Sequence, residues 1–193
     1  MKKIILVLAF TGILLSPSCK KEDPITPVKK FMEAFPFVGV SNLSTYILYL
    51  QNNPIDTATT LKIVSELEGN YEVELSFIGQ QESTILTTDG IWLYRYDKGE
   101  TIASAIRIYK KNGTQGESWT DVLDGDSIVN TITHAGMTKV VHAGSFVVDR
   151  VIQYAIGSSD TSVVFINPEE GIIAQEFVAG PLSFSLELYS KNF

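Results

Sequence analysis

Apolar residues alternating with polar ones at period two, turn dipeptides at short intervals, and two segments apolar on both faces predict an all-β fold. The expected architecture is a strongly curved antiparallel meander, an open barrel or a sandwich of about ten strands, with at most one short helix.

The chain begins with a segment outside that fold. Lys2 and Lys3 precede the apolar run Ile4 to Leu15, and Ser16-Pro17-Ser18-Cys19 follows. The run is too short for a bilayer span, which needs about 20 residues. Residues 1–18 therefore read as a cleaved signal peptide. A small residue before the sole cysteine is the pattern of a lipoprotein signal, so Cys19 is expected to carry the acyl anchor. With no second cysteine, no disulfide forms within the chain. Lys20-Lys21-Glu22-Asp23 resembles the charged surface-export signal that follows the acylated cysteine in some Gram-negative lipoproteins. The expected location is the outer membrane, lipid-anchored and facing the cell surface, with the periplasmic face as the alternative.

Residues 19–28 make up the acylated cysteine and a tether. Pro24 and Pro27 favour extended backbone, and at roughly 3.1 Å per residue the segment reaches about 30 Å from the membrane. The remainder, 29–193, has the size of one domain and can bury a sizeable core. Without Lys2 and Lys3 the mature chain sets 13 basic against 22 acidic residues, a formal charge of −9. That balance, with no Lys/Arg cluster, excludes nucleic acid as a partner.

A brief helix is expected over Lys29 to Phe35, because Phe31, Ala34 and Phe35 fall on one face. Tyr71, Val73, Leu75 and Phe77 alternate with Glu72, Glu74 and Ser76. Leu182, Phe184, Leu186 and Leu188 alternate with Ser183, Ser185 and Glu187. Each is a strand with one buried and one wet face. Turns are expected at Glu68-Gly69, Asp89-Gly90, Lys98-Gly99, Asn112-Gly113, Asp124-Gly125, Gly157 to Asp160, Asn167-Pro168 and Gly180-Pro181. Ala135-Gly136 is read as a further hairpin turn between 131–134 and 137–142.

Ile91 to Tyr96 and Phe146 to Tyr154 break the simple alternation, with apolar residues on both faces. There the sheet must curl on itself, take a helix across one face, or hold an apolar ligand.

Phe35-Pro36-Phe37, Thr88-Asp89-Gly90-Ile91, Gly116 to Thr120, Val140 to Phe146 and Asn167 to Ile173 occur in this order across most of the mature domain. In these segments the chain resembles an uncharacterised family of β-rich exported bacterial lipoproteins, distantly similar to the open β-barrels of lipoprotein carriers. The resemblance implies a bent β-meander and supplies no active site.

Candidate chemistry is sparse. His134 and His142, the only histidines, would lie roughly 15–20 Å apart along a hairpin at about 3.3 Å per residue, so no metal site is expected. Ser145, His142 and Asp149 lack the Gly-x-Ser-x-Gly elbow of a serine hydrolase. Asp121, Asp124 and Asp126 do not have the spacing of a calcium loop, and Glu169 and Glu170 fit a loop before Gly171. The expectation is a noncatalytic protein without a cofactor.

Trp92, Tyr94 and Tyr96 on one strand face are either core or a stacking surface for a sugar or an apolar ligand. Arg95, in the opposite register, is expected to point to solvent beside Asp97. Two roles remain open. In one, a curved sheet holds a hydrophobic or amphipathic ligand among residues such as Trp92, Tyr94, Tyr96, Phe146 and Phe184. In the other, the domain is an interaction module for an envelope protein or a glycan, with an exposed aromatic or apolar patch and no internal ligand.

Overall fold

The computed structural model describes residues 31 and 33–193; the expected signal peptide, Cys19 and the expected tether lie outside them. Twelve strands run β1 Leu43–Leu50, β2 Asn53–Leu67, β3 Asn70–Phe77, β4 Gln80–Thr88, β5 Trp92–Asp97, β6 Ile106–Lys110, β7 Ser118–Leu123, β8 Asp126–Val141, β9 Gly144–Ala155, β10 Thr161–Asn167, β11 Gly171–Ala179 and β12 Leu182–Lys191. All join one antiparallel sheet in the order β6-β5-β4-β3-β2-β1-β12-β11-β10-β9-β8-β7. Every neighbour but one is a hairpin partner. The exception, β1 with β12, welds the two halves of the chain at the centre of the sheet, with Leu48 opposite Leu186.

The sheet curls until its free edges, β6 and β7, come together. No backbone ladder closes this seam. The Trp119 indole N–H donates to Arg107 O at 2.9 Å, Arg107 Nη2 donates to Thr120 O at 2.7 Å, and Arg107 Nε donates to Asp121 Oδ1 at 3.0 Å. The Arg107 backbone N–H donates to Asp121 Oδ2 at 3.2 Å, so a carboxylate stands where a partner strand's carbonyl would be. The result is a nearly closed barrel.

All eight expected turn sites lie between strands. At Asp124-Gly125 both residues have positive φ, 54° and 92°, the conformation of a tight two-residue hairpin. Two further such turns, Gln51-Asn52 and Ile78-Gly79, raise the strand count from about ten to twelve. The hairpin expected at Ala135-Gly136 is not a turn. β8 runs through it with register shifts between Ile132 and Met137, and the chain reverses instead at His142-Ala143. Gly136 takes φ 67° and its N–H donates to Asp149 Oδ1 at 2.9 Å, which makes the site a bulge.

That bulge bends the β8–β9 hairpin and creates two cores. Before the bend, Ile132 and Val151 face the barrel interior. Beyond it, Val141, Val148, Met137 and Phe146 pack in a second cluster with Phe165, Ile173, Ala174 and Leu188. Val148 and Val151 are each 1% exposed, on opposite faces of the same strand. The doubly apolar segment Phe146 to Tyr154 is thus explained by curling. The run Val163-Val164-Phe165-Ile166 is covered on both faces for the same reason.

Alternating turns define two ends of the barrel. The turns at 51–52, 78–79, 124–125, 156–160 and 180–181 lie at one end. The turns at 68–69, 89–91 and 168–170 lie at the other, together with residues 31–42. Phe31, Glu33 and Ala34 are helical, and Pro36–Val38 is a 3-10 turn. Phe31 and Phe35 are 0% exposed and stack edge to face at 5.9 Å, while Phe31 meets Tyr71 at 4.8 Å. The face expected of Phe31, Ala34 and Phe35 is buried in full, and this aromatic segment plugs one end of the barrel.

Candidate functional site

The interior beyond the plug is not filled. A cavity of about 160 Å³ remains, walled by side chains from β1 to β6 and from β8 to β11. Its lower wall is largely apolar, with Asn42, Ser44 and Glu170 the polar residues at that end. Ile63, Val73, Leu86, Leu93, Val151 and Ile166 line it and are packed against the plug.

Toward the opposite end the same inward registers carry polar groups: Thr84, Arg95, Asn130, Gln153 and Gln175. Gln153 Nε2 donates to Asn130 Oδ1 at 3.1 Å, and Gln175 Nε2 donates to Ser162 Oγ at 3.3 Å. Asn130 is 1% exposed and its Nδ2 has no hydrogen-bond partner. On the apolar side the Tyr46 hydroxyl donates to Ile172 O at 2.9 Å, and burial pushes its pKa up. The cavity therefore has a largely apolar floor and a more polar upper wall, the surface pattern that complements an amphipathic molecule.

The five aromatic residues nominated from the sequence are outside this lining. Leu93 and Arg95 take the inward registers of β5, which turns Trp92, Tyr94 and Tyr96 the other way. Arg95 accordingly points into the cavity rather than to solvent beside Asp97, because the strand's inward face is set by cross-strand partners and not by the size of its aromatic rings. Trp92 packs at the seam, with Trp119 edge-on at 5.0 Å and Arg107 over its ring at 5.0 Å. The Tyr94 hydroxyl donates to Asp89 Oδ2 at 2.9 Å. Its pKa is pushed up to about 12, by burial first and then by the Asp89 hydrogen bond and charge. Phe146 belongs to the second core, and Phe184 lies opposite Leu50 and Phe177.

The other candidates are engaged in the fold. Asp149 accepts from the Tyr109 hydroxyl at 2.6 Å as well as from Gly136 N–H, and His142 stacks on Tyr189 at 4.5 Å. Asp121 holds Arg107, and Asp124 forms a turn. Glu170 pairs with Lys191. Among the described residues no group of three or more His, Cys, Asp or Glu could hold a metal ion.

What the sequence reading missed is the row of inward polar residues. Its signal was present as a break in periodicity. Asn130 shares a face with Ile132, and Gln153 shares one with Val151, each a polar residue in an apolar register.

A protein from Bacteroides fragilis, described as exported and as having a YmcC-like fold, is similar to this chain. The two are 12% identical, with a TM-score of 0.55 over 83% of this chain and 100% of the other. The lipoprotein LppX of Mycobacterium tuberculosis matches at 10% identity over 89% of this chain and 97% of its own, with a TM-score of 0.23, too low to bear on the argument. No protein-family model and no curated protein matches the chain. The first likeness shows a shared fold, and the expected bent, barrel-like β-meander is borne out.

Proposed function

We propose that this chain is a lipid-anchored protein of the cell envelope that holds a hydrophobic or amphipathic ligand inside its barrel, without catalysis. The observation that carries the reading is the cavity, between a largely apolar lower wall and a polar upper wall. A filled core would leave nothing to bind. An engineered apolar cavity of about 150 Å³ takes up benzene, so the space here suits a ring or part of an acyl chain. The shared fold with an exported protein and the Cys19 signal support an envelope location, with the outer membrane and the cell surface as the proposed address.

The twelve strands and both cores described lie within residues 31–193, so a chain beginning at Lys20 contains them all. Native mass spectrometry of that chain, purified from the periplasm, tests the reading. A bound mass that is released on denaturation, and identified as a lipid or another apolar small molecule, is the expected result. A clean apo mass, unchanged on incubation with extracted envelope lipids, would sink it. The interaction module would then be favoured, with Val140 and Val147 on the bent hairpin, 70% and 61% exposed, as the patch to test first.

A further inference from the structure

The cavity carries information about the ligand's polar end. Arg95 is half-buried, lines the cavity, and has no ion pair or side-chain hydrogen bond among the described residues. Acidic residues outnumber basic ones 22 to 15 in this chain. Five of its other cations do have carboxylate partners: Lys98 with Glu72, Arg107 with Asp121, Lys110 with Glu117, Lys139 with Glu176 and Lys191 with Glu170. A guanidinium stays charged at any pH the protein meets, and removing it from water without an acceptor costs stability.

Asn130 is the second unfulfilled group. Its side chain is fully enclosed, Gln153 satisfies one end of the amide, and the other end has no partner. Turning both amides over would satisfy the first end again and leave the other still without one.

The two groups are on the strands that flank the seam. Arg95 lies opposite Ile106 on β6, Asn130 lies opposite Trp119 on β7, and the Trp119 indole reaches across to Arg107 O. Both sit on the polar side of the apolar floor.

Resting on the ligand-binding reading above, we propose that the ligand is an anionic amphiphile. Its carboxylate or phosphate head is held by Arg95 and reaches the Asn130 amide, and its apolar part lies toward the aromatic plug. Charge-assisted bonds from a guanidinium to a carboxylate or phosphate are the strong class of hydrogen bond and suit this fork of donors. A neutral head would leave the cation unpaired, and a cationic head would repel it.

The test is calorimetric titration of residues 20–193 with octanoate, octyl phosphate and octan-1-ol, which share one tail and differ in the head. At least one anion is expected to bind about tenfold or more tighter than the alcohol. The tighter of the two identifies the source as a free fatty acid or a phosphate ester. Arg95→Gln is expected to abolish the preference, and Arg95→Lys to keep part of it. Asn130→Asp, which adds a negative charge to the same wall, is expected to weaken both anions, and wild-type Asn130 side-chain amide resonances are expected to shift on addition of the anion. Equal binding of alcohol and anions would overturn the anionic head and leave the ligand-binding function standing. Failure of all three to bind would overturn both. If Arg95→Gln fails to fold, the wild-type ranking and Asn130→Asp still decide the matter.

Discussion

Tyr109 is 1% exposed, and its hydroxyl donates to Asp149 Oδ2 while the other Asp149 oxygen holds the Gly136 bulge. Two distant pieces of chain are thereby tied through one carboxylate. Tyr109→Phe removes a donor to a charged acceptor and is expected to cost about 1–3 kcal/mol in chemical denaturation. The same bond sets a pH dependence. Burial, then the hydrogen bond to and charge of Asp149, raise the Tyr109 pKa, and Tyr94 is raised from 10.0 to about 12 by burial and Asp89. A phenol whose folded pKa lies above its unfolded value contributes stability that is complete below pH 10 and is lost as pH rises through the folded pKa. Alkaline unfolding is therefore expected to steepen above pH 10, and Tyr94→Phe is expected to flatten that limb in circular dichroism melts. Asp89 gives the opposite limb. Burial raises its pKa, but the N–H groups of Trp92 and Ile91 outweigh this and leave it below the usual carboxylate range. Its contribution is present above the unfolded carboxylate pKa and is lost as pH falls through the folded value, so Asp89→Asn is expected to flatten the acid limb.

Among the elements, the plug is the one whose removal changes the interior most. Phe35 touches Phe31, Phe37 and Tyr109 at ring distances of 5.9 to 6.3 Å. Phe35→Ala is expected to destabilise by about 3–5 kcal/mol and to extend the cavity downward. Denaturation midpoints check the first effect, and tighter uptake of a longer-chain ligand checks the second. The plug is also locked from below. Gly171 has φ 87°, and a Cβ there would lie 3.1 Å from the Phe37 ring. Gly171→Ala combines a strained left-handed backbone with that collision and is expected to cost about 1–3 kcal/mol. The bulge in β8 acts at the same scale: without the extra residues between Ile132 and Met137 the hairpin would run straight and leave Phe165, Ile173 and Leu188 uncovered.

Across the whole molecule, the barrel is strongest at the β1/β12 weld and weakest at the β6/β7 seam. The weld has a backbone ladder, and the seam is held by Arg107, Asp121, Trp119 and the Thr120 carbonyl. Arg107→Ala removes three side-chain donor–acceptor contacts, two to Asp121 and one to the Thr120 carbonyl, and one of the two cations above Trp92. It is expected to raise hydrogen exchange in Ile106–Lys110 and Ser118–Leu123 by about tenfold while leaving β1 and β12 unchanged. Trp92 and Trp119 are the only tryptophans of the chain and both sit at the seam. Their fluorescence is expected to shift to the red in that variant, and an unchanged spectrum with unchanged exchange would show that the seam does not depend on Arg107.

Local chemistry was enough to determine the all-β class, eight of the turns and the buried face of Phe31, Ala34 and Phe35. Each depends on a residue's own φ preference or on side-chain alternation within a few positions. The sequence by itself also determined that Phe146 to Tyr154 needed cover on both faces. Which cover it received was decided only in three dimensions, because curling, a helix and a ligand all satisfy the same apolar pattern. The inward face of β5 could not be read for a related reason. Trp92, Tyr94 and Tyr96 and the pair Leu93 and Arg95 have the same period, and only the pairing of Leu86 with Arg95 and of Leu93 with Tyr109 decides which set turns inward. The cavity, the unpaired Arg95 and the unfulfilled Asn130 amide are properties of strands far apart in the chain. Tertiary structure alone brings them to one wall, since closing the barrel requires the β1/β12 pairing across some 140 residues.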